Sequence, residues 1–294
     1  MAHNISTENR KLLLRYQRSE ITDYHIYSRM AQRVKHIANG ALLARIASDE
    51  KEHAAIWGYY TGEMMEPDRP KVFWYTLLSV IFGYTFVIRL MEQGKYSTGK
   101  AYESLSAELP EAAAIAGDEQ VHEGLLHDML DEERLQYVGA MVLGLNDALV
   151  ELTGTIAGLT FALADTRLVA LSGIITGVSA TLSMAASNYL AERANGNPKA
   201  FKSSLYTGVA YLITVVLLVL PYLLLPTHMY RAALGVMLVA VVLIIFVFNY
   251  YISVAKNQPF WRRFGEMAVI SLGVALIAFL IGLAAKRLLG IDVS

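Results

Sequence analysis

The sequence predicts an all-α protein: an N-terminal four-helix bundle followed by a five-helix transmembrane domain. Three observations predict it. Charge is unevenly spread: residues 1–134 carry 15 Lys+Arg and 20 Asp+Glu, residues 135–294 carry 10 and 6, and six of the seven His lie in the first part. Five apolar stretches follow Leu135, near 138–163, 168–190, 205–226, 229–252 and 265–285. Each is close to the ~20 residues a helix needs to cross ~30 Å of hydrocarbon. Strand and hairpin signals are scarce throughout. The net charge of −1 over 294 residues hides this division, which implies a water-soluble front and a lipid-embedded back.

Composition excludes several classes. The chain has no Cys, so thiolate zinc, Cys-ligated iron–sulfur, disulfide and catalytic-thiol chemistry are out. No Gly-rich phosphate loop and no basic stripe suited to nucleic acid is present. Met1–Arg15 is polar and lacks the apolar core of a signal peptide, so the front part is expected in the cytoplasm.

The front part reads as four helices. The first runs from a cap at Ser6 or Thr7 to Ile37. Asn39-Gly40 is expected to make the turn. The second reaches about Met65, where Pro67 and Pro70 stop it. The third covers the apolar run Val72–Ile88 and passes Met91, with Gly94 and Gly99 as weak points. The fourth starts near Pro110, a good first-turn residue, and reaches Asp131. Val72–Ile88 has 17 residues without a charge and is an alternative sixth span. Ser79, Gly83 and several Tyr interrupt it, so a buried or dimer-facing bundle helix is preferred.

Two tetrapeptides stand out: Glu50-Lys51-Glu52-His53 and Glu119-Gln120-Val121-His122. Each puts a carboxylate and an imidazole on one helical face. Glu20 lies on the first helix and Glu92 on the third; Glu103 is an alternative to Glu92. A lone Glu-x-x-His is usually a solvated face. Two of them, with one Glu from each remaining helix, make the ligand set of carboxylate-bridged di-iron or di-manganese bundles. Carboxylates bridge hard cations, and neutral imidazole suits iron. The expected metal ligands are therefore Glu20, Glu50, His53, Glu92, Glu119 and His122. His25, His36 and His127 lack such partners.

These residues resemble the rubrerythrin-like branch of the ferritin-like superfamily over 1–134. The resemblance implies iron binding and reaction with oxygen or peroxide. Rubrerythrins usually carry a second Glu three residues after the third-helix ligand; Lys95 stands there. That departure weakens the case for peroxidase chemistry.

In the back part, Asp147 and Glu151 lie four residues apart in the first span. A charged side chain at the bilayer centre costs ~2.5 kcal/mol or more, so such acids face protein or a water path. Ser183-Met184 in the second span offers a thioether, a soft ligand, but a buried Met is far more often packing, and the sequence alone favours packing. Residues 135–290 look like the vacuolar iron transporter family, through Gly144-Leu145-Asn146-Asp147, Ser183-Met184 with Tyr189, and Leu205-Tyr206-Thr207-Gly208. The resemblance implies a dimer exporting ferrous iron against protons, with Asp147 and Met184 on the ion path. The family often has an acid where Thr176 stands, and Glu151 is expected to supply that charge. The fusion resembles the membrane-bound ferritins of bacteria and archaea.

Basic residues set the expected orientation. The second and fourth connections hold Arg193, Lys199, Lys202, Lys256, Arg262 and Arg263; the first, third and C-terminal tail hold Arg167, Arg231, Lys286 and Arg287. This places the N-terminal part inside and the C-terminus outside a cell membrane. The expected function is a homodimeric iron exporter, with manganese as a second candidate ion. The alternatives are a membrane-anchored di-iron oxidase or peroxidase and an iron sensor that gates the transporter.

Overall fold

The computed structural model describes residues 6–95, 105, 109–129 and 136–289. Among them every regular element is helical. The chain forms two compact units, Met1–Glu132 and Glu133–Ser294.

In the first unit, α1 spans Thr7–Ala31 and α2 spans Ile37–Thr61, packed along each other. The Ser6 side chain caps α1 by accepting from the Asn9 amide at 3.1 Å. The α1–α2 turn falls before His36, so Asn39-Gly40 lies inside the first turn of α2 rather than between the helices. The dipeptide serves packing there. A Cβ on Gly40 would sit 3.3 Å from the Ala31 carbonyl oxygen, and Asn39 donates to Tyr84 Oη at 3.2 Å. Helix α2 ends at Gly62, whose φ of 68° suits glycine.

Asp68 caps α3 (Arg69–Phe82) through the Lys71 amide. The apolar run 72–88 does not form one helix. Gly83, at φ 93° and ψ 163°, separates α3 from α4 (Tyr84–Lys95). At 14 and 12 residues, each is shorter than the ~20 needed to span a bilayer. The break comes at Gly83, while α4 continues through Gly94. Helix α5 runs Pro110–Asp128 and packs on α2. Gly99 and Asp131 lie outside the described residues, as does Glu103.

The second unit holds α6 (Val138–Leu163), α7 (Thr166–Ala194), α8 (Ala200–Leu224), α9 (Tyr230–Lys256) and α10 (Phe260–Leu289). Among the described residues five helices are long and apolar enough to cross a membrane, and all lie here. Helix α6 matches its apolar run, and α7, α9 and α10 extend theirs by a few residues, because flanking polar residues continue the helix or cap it. Asp165, for example, accepts from the Arg167 and Leu168 amides at 2.7 and 3.0 Å and starts α7. Leu171, Ile175, Ile277 and Ile281 are exposed, as lipid-facing side chains are.

Helix α6 is central: α7, α8, α9 and α10 all pack against it. Its core face includes Leu145, Ala148, Leu149, Leu152 and Ile156. Small residues let α8 approach closely. A Cβ on Gly144 would collide with the Thr207 carbonyl oxygen, which is backbone and cannot swing aside. Gly144→Ala is expected to cost about 1–3 kcal/mol by overpacking. A lower melting temperature in detergent would show it, and an unchanged one would contradict this packing.

Candidate metal sites in the two units

The first-unit site begins with helical periodicity. Glu50 and His53 share one face of α2, and Glu119 and His122 share one face of α5. Because α1 packs on α2, Glu20 joins them. One ligand atom from each of Glu20, Glu50, His53 and Glu119 lies within 4.8 Å of the others. Glu20, Glu50 and His53 are buried, with exposures of 3, 0 and 3 %. His122 stands beside this group, with Nδ1 at 4.0 Å from Glu50 Oε1 and its ring 6.0 Å from that of His53.

Glu92 is not in this group. On α4 it pairs with Arg89 at 3.1 Å, and burial pushes its carboxyl above the usual range although Arg89 opposes the shift.

The imidazoles are held from behind. His53 Nε2 lies 3.4 Å from Asp118 Oδ2, and His122 Nε2 lies 3.0 Å from Asp49 Oδ2. The pairing is crossed: each Asp precedes a Glu-x-x-His on one helix and holds the His of the other. Sequence reasoning missed both aspartates, although the shared Asp-Glu-x-x-His spelling was a usable signal. A carboxylate on one ring nitrogen fixes the tautomer and turns the other nitrogen to a metal. Here Nδ1 of both rings is buried and faces the glutamates.

Burial alone would lower the His53 pKa. The hydrogen bond to Glu119 and the charges of Glu50 and Glu119 outweigh it and raise the pKa above 6.5. In the metal-free protein, protonated His53 therefore contributes stability that is complete below pH 6.5 and is lost as pH rises through the raised pKa. A metal needs the neutral ring, so binding releases that proton. Apparent Mn²⁺ affinity is expected to rise with pH through this window in titrations of the full chain. A flat profile would contradict the role of His53.

In the second unit, the acids sit on the central helix. Asp147 is half-buried and Glu151 is exposed on the surface of the single chain. Glu151 Oε2 accepts from Tyr211 Oη on α8 at 2.9 Å, although Tyr211 has no exposed surface. Tyr211 was not singled out from the sequence. A phenol inside an apolar span needs a partner, and that was the available signal. Asn146 Oδ1 accepts from Ser271 Oγ on α10 at 3.4 Å. Met184 is half-buried on α7 and packs against the cluster containing Leu145, Ala148 and Tyr211. Thr176 lies two turns earlier on α7, also half-buried.

These features define an all-helical, multi-pass membrane protein with a Glu/His cluster able to hold a metal ion. Residues 138–198, which contain Asp147, Glu151 and Met184, match the VIT family model. With the five membrane-capable helices, this match supports a membrane domain of the vacuolar iron transporter kind and metal-ion transport as its class of activity. No curated protein and no solved structure matches the chain.

Proposed function

We propose that the protein is a homodimeric exporter of ferrous iron, and of Mn²⁺ where that ion competes, working by proton antiport across the cell membrane. One observation carries the reading: two carboxylates one helical turn apart on the central span, inside the matched segment, with Glu151 tied to Tyr211. Asp147 and Glu151 would take the ion with Met184 beside them, and protonation on the far side would release it. The dimer is supported by the exposure of Glu151 in a single chain. A carboxylate facing hydrocarbon is costly, and a second copy would cover it. The basic residues of the connections favour a cytoplasmic N-terminal part and an external C-terminus.

The first unit, on this reading, is a ferritin-like domain that collects or oxidises iron at Glu20, Glu50, His53, Glu119 and His122. The donor set fits: hard carboxylates, imidazoles oriented by Asp49 and Asp118, and burial. Glu92 would join only by leaving Arg89. Bound iron would supply redox chemistry with oxygen. The chain's own residues orient the ligands and exclude water, and His53 gives up its proton on binding. Its acidic balance would gather cations.

A second reading, a membrane-anchored oxidase or peroxidase or an iron sensor, is favoured by the self-sufficiency of the buried cluster. Full flux in His53→Ala with lost oxygen consumption would support it. Antiport is tested in liposomes carrying an internal pH dye: Fe²⁺ movement should drive an opposed proton movement, and metal flux without it would remove antiport.

A further inference from the structure

We propose that a divalent cation binds in a cavity at the α7–α8 end of the membrane unit, and that this is the mouth of the path to Asp147 and Glu151; the path rests on the transport reading above. The cavity measures about 280 Å³ and is lined by Gln136, Tyr137, Glu192, Asn197, Lys199 and Ser203, with backbone from Gly139 and Ala140.

Its side chains are mostly oxygen donors. Glu192 Oε2 accepts from Asn197 Nδ2 at 2.7 Å, and Oε1 accepts from Ser203 Oγ at 3.3 Å. Tyr137 is 5 % exposed, and its ring is stacked on Tyr206 at 4.7 Å. Its hydroxyl is buried and has no hydrogen-bond partner among the described residues. A phenol held this rigidly at a cavity wall lacks the partner that a bound, hydrated ion supplies. Carboxylate, amide and hydroxyl oxygens suit a divalent cation that keeps part of its water, and the cavity has room for those waters. Glu192 disfavours an anion. Lys199 Nζ, 3.4 Å from Gln136 Oε1, is the charge an arriving cation must displace.

Ser203 and Ala140 of the cavity lining also belong to a buried polar seam. Asn188 Nδ2 donates to Ser203 Oγ at 3.2 Å and to Thr207 Oγ1 at 2.7 Å. Thr207 Oγ1 donates in turn to the Ala140 carbonyl at 3.1 Å. Asn188, Ser203 and Thr207 are 7, 3 and 0 % exposed. Ser203, Thr207 and Tyr211 follow at intervals of four on α8, hence on one face. Tyr211 ends the row at Glu151. The polar line therefore joins the Glu192 cavity to the intramembrane acids.

Full-length protein in liposomes, with Mn²⁺ added on the side of the α7–α8 connection, tests this. Glu192→Gln and Tyr137→Phe are expected to raise the half-saturating Mn²⁺ concentration about five- to tenfold, with maximal rate retained, because one hard ligand is lost. Lys199→Ala should lower it, a direction that misfolding cannot mimic. In detergent, Glu192→Gln should bind about one Mn²⁺ fewer than wild type, read from the free-ion EPR signal. Wild-type half-saturation in both variants, together with an unchanged Mn²⁺ count, overturns the site while leaving transport intact. No flux in any form, with an ion still lost in Glu192→Gln, overturns transport and keeps the cation site.

Discussion

Asp147→Asn is expected to lower metal flux by about two orders of magnitude or more while leaving the fold intact, because a charge held in low dielectric is worth several kcal/mol to a bound cation. The substitution keeps size and hydrogen-bonding capacity and removes only the charge. Asp147 is half-buried on α6, the helix against which the other four spans pack. Glu151→Gln should be milder, since Tyr211 Oη can still donate to the amide oxygen. Tracer uptake by liposomes at matched protein content separates the two. Equal flux in Asp147→Asn and wild type would remove Asp147 from the path.

Glu50→Gln is expected to abolish metal-induced stabilisation of the first unit and to leave the metal-free protein as stable or more so. Glu50 is fully buried, with ligand atoms of Glu20, His53 and Glu119 within 4.8 Å. Carboxylates held this close repel one another unless a cation or protons intervene. Removing one charge relieves that repulsion and removes a ligand together. At a metal concentration of 100 times Kd, wild type should gain about 2.7 kcal/mol, and the variant close to nothing. Thermal melts with and without Mn²⁺ check both halves. A variant that melts lower without metal and still gains stability with it would contradict this role. Asp49→Asn and Asp118→Asn should weaken metal binding about 10- to 100-fold, as losses of a partner behind a histidine ligand do.

Much of the architecture was legible because lipid and water impose different compositions. The charge-free runs 203–227 and 232–255 read as spans, and α8 covers the first as far as Leu224 while α9 covers the second. The period of the helix likewise placed Glu50 with His53 and Asp147 with Glu151. What stayed hidden depended on partners distant in sequence. Asn39-Gly40 spells a turn locally, yet both residues lie in the first turn of α2, where a Cβ on Gly40 would come within 3.3 Å of the Ala31 carbonyl oxygen. Gly83 is legible as an interruption of the apolar run but not as a break in the helix, and its φ of 93° shows why α3 ends there. The crossed Asp49–His122 and Asp118–His53 pairs join residues more than sixty positions apart. Glu92 differs: its partner Arg89 lies only three residues before it on α4, a spacing that puts both on one face and was a usable signal.

Transport itself is tested most directly with wild-type protein in liposomes that contain a metal-quenched fluorophore, compared with protein-free liposomes under the same pH gradient. The account predicts saturable Fe²⁺ entry that depends on the protein and is accelerated by the opposing proton gradient. Entry no faster than in protein-free liposomes, from a preparation that still binds metal, would contradict it.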